Sequence, residues 1–106
     1  MVKVVLTPLA IEDAERLFRF LDDFSHHAAQ TLKKEIVAAA KRLKKMPEMG
    51  PKEPVLEEFN RNYRYVLVLR RYKIIYLFEN EVCSILMVWD CRQNPKALKD
   101  SDRFNP

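Results

Sequence analysis

Glycine is nearly absent: Gly50 is the only one in 106 residues, and with six prolines it leaves no room for a flexible linker or a low-complexity tail. Cysteine is scarce too. Cys83 and Cys91 lie in and just past one apolar run, eight residues and so about 25 Å apart if extended. They therefore cannot pair within that strand, and reduced thiols in a cytoplasmic protein are expected. Two adjacent histidines, His26 and His27, and two cysteines without ligand spacing exclude a metal site, and no cofactor is implied. No apolar stretch approaches the roughly 20 residues that span a bilayer. The short Met1–Leu6 run gives no signal peptide.

What remains is enough for one domain, residues 1–106, with 98–106 as a tail; 48% of the residues are apolar. The net charge of +4 is unevenly spread: residues 1–32 carry three basic side chains and five acidic ones, residues 33–106 sixteen and ten. Arg61, Arg64, Arg70, Arg71 and Lys73 fall in one stretch that has no acid. Such a field favours a nucleic acid or an acidic protein segment. Charges that merely keep a hairpin edge solvated are the plainer alternative.

Val2–Leu6 reads as a strand. Thr7-Pro8 then starts a helix, with Glu12 and Asp13 near its positive end and Ala10, Ala14, Leu17, Phe18 and Leu21 on one face. Ser25 caps a second helix with a stripe of Ala29, Leu32, Ile36, Ala40 and Leu43; its lysines face outward and Met46-Pro47 ends it. The connection is so short that the two helices form an antiparallel hairpin. After the loop Pro47–Pro54 the period changes to two from Val55 onward. Tyr63–Leu69, Tyr72–Phe78 and Val82–Trp89 read as strands, with turns at Arg70-Arg71 and Glu79-Asn80-Glu81. The predicted fold is α+β: an N-terminal strand, an αα-hairpin and a three-stranded antiparallel meander, in one mostly antiparallel sheet with the helices on one face.

Adjacent bulky residues in the last two strands, Ile74-Ile75 and Ile85 to Trp89, point to opposite faces and require cover on both. The helices supply one cover. The C-terminal segment, a second copy or a partner chain must supply the other, and a partner is the reading carried forward.

Three stretches resemble the RelE/ParE superfamily of type II toxin–antitoxin toxins over residues 3–98. They are the second helix running into Met46-Pro47-Glu48-Met49-Gly50, the strand Arg71 to Tyr76, and Val88-Trp89-Asp90-Cys91-Arg92-Gln93-Asn94-Pro95. The resemblance implies a cognate antitoxin whose acidic or amphipathic C-terminal segment binds the toxin in a heteromeric complex. It also implies one of two targets. RelE-like members cleave messenger RNA on the ribosome, whereas ParE-like members poison DNA gyrase.

By resemblance, a RelE-like nuclease would use Lys73, Arg92 and Arg64 on the phosphate, with Asp90 where many relatives have a histidine. No tyrosine or histidine follows Arg92, so the general acid is missing, and an aspartate near pKa 4 is a poor one. The ParE-like, non-enzymatic reading is therefore preferred, and a non-toxic nucleic-acid-binding module is the third. Candidate target- or antitoxin-binding residues are Arg61, Arg70, Arg71, Ile75 and Trp89. Ion pairing of Arg92 with Asp90, and core packing of Trp89, are the competing structural readings.

Overall fold

The computed structural model describes residues 1–104, so Asn105 and Pro106 of the tail lie outside the described residues. Its elements run β1 (Lys3–Leu6), α1 (Pro8–Asp22), α2 (His26–Lys45), a 3₁₀ turn (Pro54–Phe59), β2 (Tyr63–Val68), β3 (Tyr72–Glu79), β4 (Val82–Asp90), α3 (Pro95–Lys99) and a second 3₁₀ turn (Asp102–Phe104). The strands form one sheet in the order β1-β4-β3-β2. Only β1 runs parallel to its neighbour, β4; the other pairs are antiparallel, as the α+β reading requires.

Both helices start as their sequences dictate. The Thr7 hydroxyl accepts from Ala10 N–H at 3.4 Å and donates to Ile85 C=O at 2.8 Å, so one side chain caps α1 and ties it to β4. The Ser25 hydroxyl accepts from Ala28 N–H at 3.2 Å. Ala10 and Ala14 of α1, with Leu32, Ile36, Ala39 and Leu43 of α2, pack on Val66, Val68, Ile74, Ile85 and Val88. Each fully buried aliphatic of this layer contributes about 1.5–3 kcal/mol.

The connections depart from expectation in two places. From Pro54 the chain turns helically rather than extending, because proline suits a first helical position and the Glu53 carboxylate accepts from Val55 N–H at 3.0 Å. The β2–β3 turn comes a residue early, with Leu69 and Arg70 both at positive φ, 53° and 54°. That conformation suits the right-handed twist of a hairpin even though neither residue favours it.

Gly50 is required by a close approach. A Cβ there would lie 2.2 Å from the Tyr65 carbonyl oxygen. Three contacts hold the loop against the sheet: the Tyr76 hydroxyl donates to Pro47 C=O at 2.8 Å and accepts from Gly50 N–H at 3.2 Å, and Arg64 donates to Gly50 C=O at 2.7 Å. Gly50→Ala is expected to cost about 1–3 kcal/mol, towards the upper end because the obstacle is backbone. Urea unfolding measures it, and an unchanged midpoint would show that the loop gives way freely.

The far face of the sheet is closed by the chain itself. Leu56 from the first 3₁₀ turn, with Leu98 and Phe104 from the C-terminal segment, each only 1% exposed, pack in one cluster with Tyr63, Ile75 and Met87. The Phe104 ring meets Tyr63 edge-on at 5.5 Å. Of the three covers open to the sequence, the first is the one used, so packing gives no reason for a second polypeptide on this face. Ile75 is fully buried there and offers no surface to a partner, a correction to its candidacy.

Candidate functional site

The basic residues of the β2–β3 hairpin are mostly neutralised within the fold. Arg61 meets Glu79 at 2.6 Å. Arg64 donates to Glu48, Gly50 and Asn62, and serves to pin the proline loop to β2. Lys73 Nζ lies 2.7 Å from Glu53, whose carboxylate is buried, and 4.3 Å above the Tyr65 ring. Arg92 grips Asp90 through its backbone N–H and its guanidinium. Arg70, at the exposed turn, makes no ion pair among the described residues.

Strand alternation separates the groups that a nuclease would need. Tyr63, Tyr65 and Trp89 belong to the far-side cluster. Arg64 and Asp90 are each one residue away and so face the helices, whereas Lys73, over Tyr65, faces the far side. The two faces do not converge on one phosphate. The Arg92 hydrogen bond, reinforced by its charge, holds Asp90 below the ordinary carboxylate range, so the group stays ionised and cannot donate a proton at neutral pH. Burial pushes the Tyr76 phenol up, and both its hydrogen-bonding capacities are used by the loop. His26 pairs with Asp22 at 2.7 Å, away from the sheet.

What does assemble lies where the end of β4 meets α1 and the tip of the helix hairpin. Arg16, Leu17, Phe20, Asp90, Arg92 and Gln93 line a cleft of about 450 Å³. A second cleft, about 360 Å³, lies between Leu21, His27, Ala28 and Thr31 of the helices and Leu69, Arg71 and Tyr72 of the hairpin. Arg71 Nε sits 4.0 Å from Asp90 and is buried without a hydrogen-bond partner. Phe20 and Phe24 are 50% and 75% exposed and touch edge-on at 5.1 Å. Exposed aromatics beside guanidinium groups make a surface suited to an amphipathic, carboxylate-bearing protein segment. Of the sequence candidates, this region gathers Arg71, Asp90 and Arg92, with Arg70 next along the turn; Arg61, Arg64 and Lys73 are ion-paired elsewhere in the fold, and Trp89 is half-buried on the far side.

Three residues escaped the sequence reading. Asp13, 3% exposed, binds Arg103, Arg16 and Val88 N–H. It does not sit in the first turn of α1 as a dipole partner. Its place three residues after Ala10, on the apolar stripe, was the available signal. Arg103 and Glu53 gave none beyond lying near isolated apolar or proline residues.

A family model described as ParE toxin of type II toxin–antitoxin system, parDE, matches residues 4–95. Among solved structures, the chromosomal ParDE TA system from P. aeruginosa is similar in fold, with a TM-score of 0.67 and 16% identity over 85% of this chain and 96% of that one. No curated protein matches the chain.

Proposed function

Since the chain belongs to the ParE toxin family of type II toxin–antitoxin systems, we propose that it arrests growth as a non-cleaving inhibitor of DNA gyrase. A cognate antitoxin neutralises it in a heteromeric complex. One observation carries the choice of target over the RelE-like alternative: Lys73 faces away from Arg64 and Asp90, and each cation of the would-be nuclease centre is held by a carboxylate of its own. RNA cleavage without a metal needs a base, an acid and phosphate-binding cations converging on one bond.

The cleft at Arg92 and Phe20 is the contact surface in this reading. An acidic or amphipathic antitoxin segment fits the same end, with Arg71 and Arg92 supplying charge and Phe20, with Phe24 against it, supplying apolar area. Added to gyrase, the protein is expected to block supercoiling, and added to ribosome-programmed translation it is expected to leave the message uncut. Arg92→Ala should weaken supercoiling inhibition at least about fivefold, the effect of losing one arginine anchor of more than 1 kcal/mol. Codon-position cuts with supercoiling untouched would replace this reading by the ribosomal one.

A further inference from the structure

The free positive charge of this molecule lies on α2 rather than on the β2–β3 hairpin, whose cations are mostly ion-paired. Lys33, Lys34, Lys41, Arg42, Lys44 and Lys45 of α2 are all exposed, and none takes part in an ion pair among the described residues. The helix holds a single carboxylate, Glu35, so α2 alone carries a net +5 against +4 for the whole chain. At 100° per residue, Lys34, Lys41 and Lys45 lie on the side opposite Leu32, Ile36, Ala39 and Leu43, with Lys44 towards one edge of it and Lys33 and Arg42 on its two flanks, while Glu35 falls nearer the buried stripe. Lys33 to Lys45 spans about 18 Å of helix axis. A shallow depression of about 440 Å³ runs along this side, with Val37 and Ala38 as its apolar floor.

We propose that the outer face of α2 is a docking surface for the phosphate backbone of a nucleic-acid duplex. The composition of the face favours that occupant over an acidic protein. Protein interfaces are depleted in lysine and are anchored by aromatic or arginine hot spots, and this face has no aromatic residue. Lysines are flexible point charges that follow a repeating line of phosphates without needing a fixed fork geometry. A duplex presents one charge per about 1.7 Å of axis, so several lysines along 18 Å each find a phosphate. Val37 and Ala38 can meet the sugar edges between them. With no base-reading side chain placed there, binding is independent of sequence. The surface lies apart from the Arg92 cleft, and it stands whether or not gyrase is the target; for a gyrase inhibitor it would add a hold on the enzyme's own DNA.

The test is fluorescence anisotropy of the full chain with labelled random-sequence DNA and RNA duplexes between about 50 and 200 mM salt. Engagement of four phosphates gives a log–log slope near −3.6 and about a 100-fold loss of affinity across that range. Substituting Lys33, Lys34, Lys41 and Lys45 by glutamine should bring the slope to within about one unit of zero, with an unchanged melting curve. Binding of either duplex with this loss supports the phosphate surface. A wild-type slope shallower than about −1, equal binding by the quadruple variant, or capture of poly-glutamate but neither duplex would each overturn it. Gyrase takes no part in the assay, so its outcome leaves the choice of target untouched.

Discussion

An Asp13→Ala variant is expected to lose about 3–5 kcal/mol of stability, the cost of leaving buried charge without its partner. Asp13 lies where β1 has ended: the last β1–β4 pair is Leu6 with Ile85, and beyond it Val88 N–H has no strand to donate to. The carboxylate takes that N–H at 3.0 Å and closes two bonds to Arg103, while Arg16 adds a fourth at 2.8 Å. Arg103 also donates to Leu86 C=O at 2.9 Å, so the C-terminal segment is fastened to α1 and β4 together. Removing the carboxylate strands the Arg103 guanidinium and the Val88 N–H in one step. Loosening that latch frees Leu98 and Phe104 from the far-side cluster, so the native state already exposes apolar surface. The denaturant slope m should fall along with the midpoint. Removing both charges in an Asp13→Leu, Arg103→Met variant should recover part of the loss, but not the share due to the orphaned N–H. A loss below about 1 kcal/mol for Asp13→Ala would mean that water reaches the carboxylate and the tail is not latched there.

The same pair shows how far a sequence of this kind can be read. Both long helices and all four strands were legible because their apolar periods run over several turns or residues, and caps at Thr7 and Ser25 marked their starts. The helix Pro95–Lys99 was not legible, since five residues are too few for a period to register. Adjacent isoleucines in β3 announced a sheet sheltered on both faces. They did not announce the shelter, because Leu98 and Phe104 are single apolar residues in a polar tail and only the fold brings them over Ile75. The charge of the hairpin was visible from composition, but its partners were not. Glu48, Glu53 and Glu79 lie 16, 20 and 18 residues from Arg64, Lys73 and Arg61, and nothing local pairs them. Lys73 and Arg64, carried over by family position, are therefore ion-paired in the fold in a way the sequence did not announce, while the unpaired charge of α2 looked like an ordinary solvated face.

The role of Lys73 separates the two toxin chemistries most sharply. Glu53 is 1% exposed and its carboxylate has two partners, Val55 N–H and the Lys73 ammonium. Lys73→Met leaves that carboxylate buried with one neutral donor, and a loss of about 2–4 kcal/mol is expected; this is below the full cost of a broken buried pair because the lysine end is partly in water. About 0.5–1 kcal/mol of the loss belongs to the ammonium's seat over Tyr65. Converting both members, in Lys73→Met with Glu53→Leu, removes the stranded charge and should return the midpoint to within about 1 kcal/mol of the original. That double variant is the decisive one for function. If Lys73 serves only the fold, the repaired protein arrests growth as the parent does and inhibits supercoiling equally. Should it be folded and stable yet harmless, the ammonium must leave Glu53 to meet a phosphate in the working complex, and the non-cleaving reading would lose its main support.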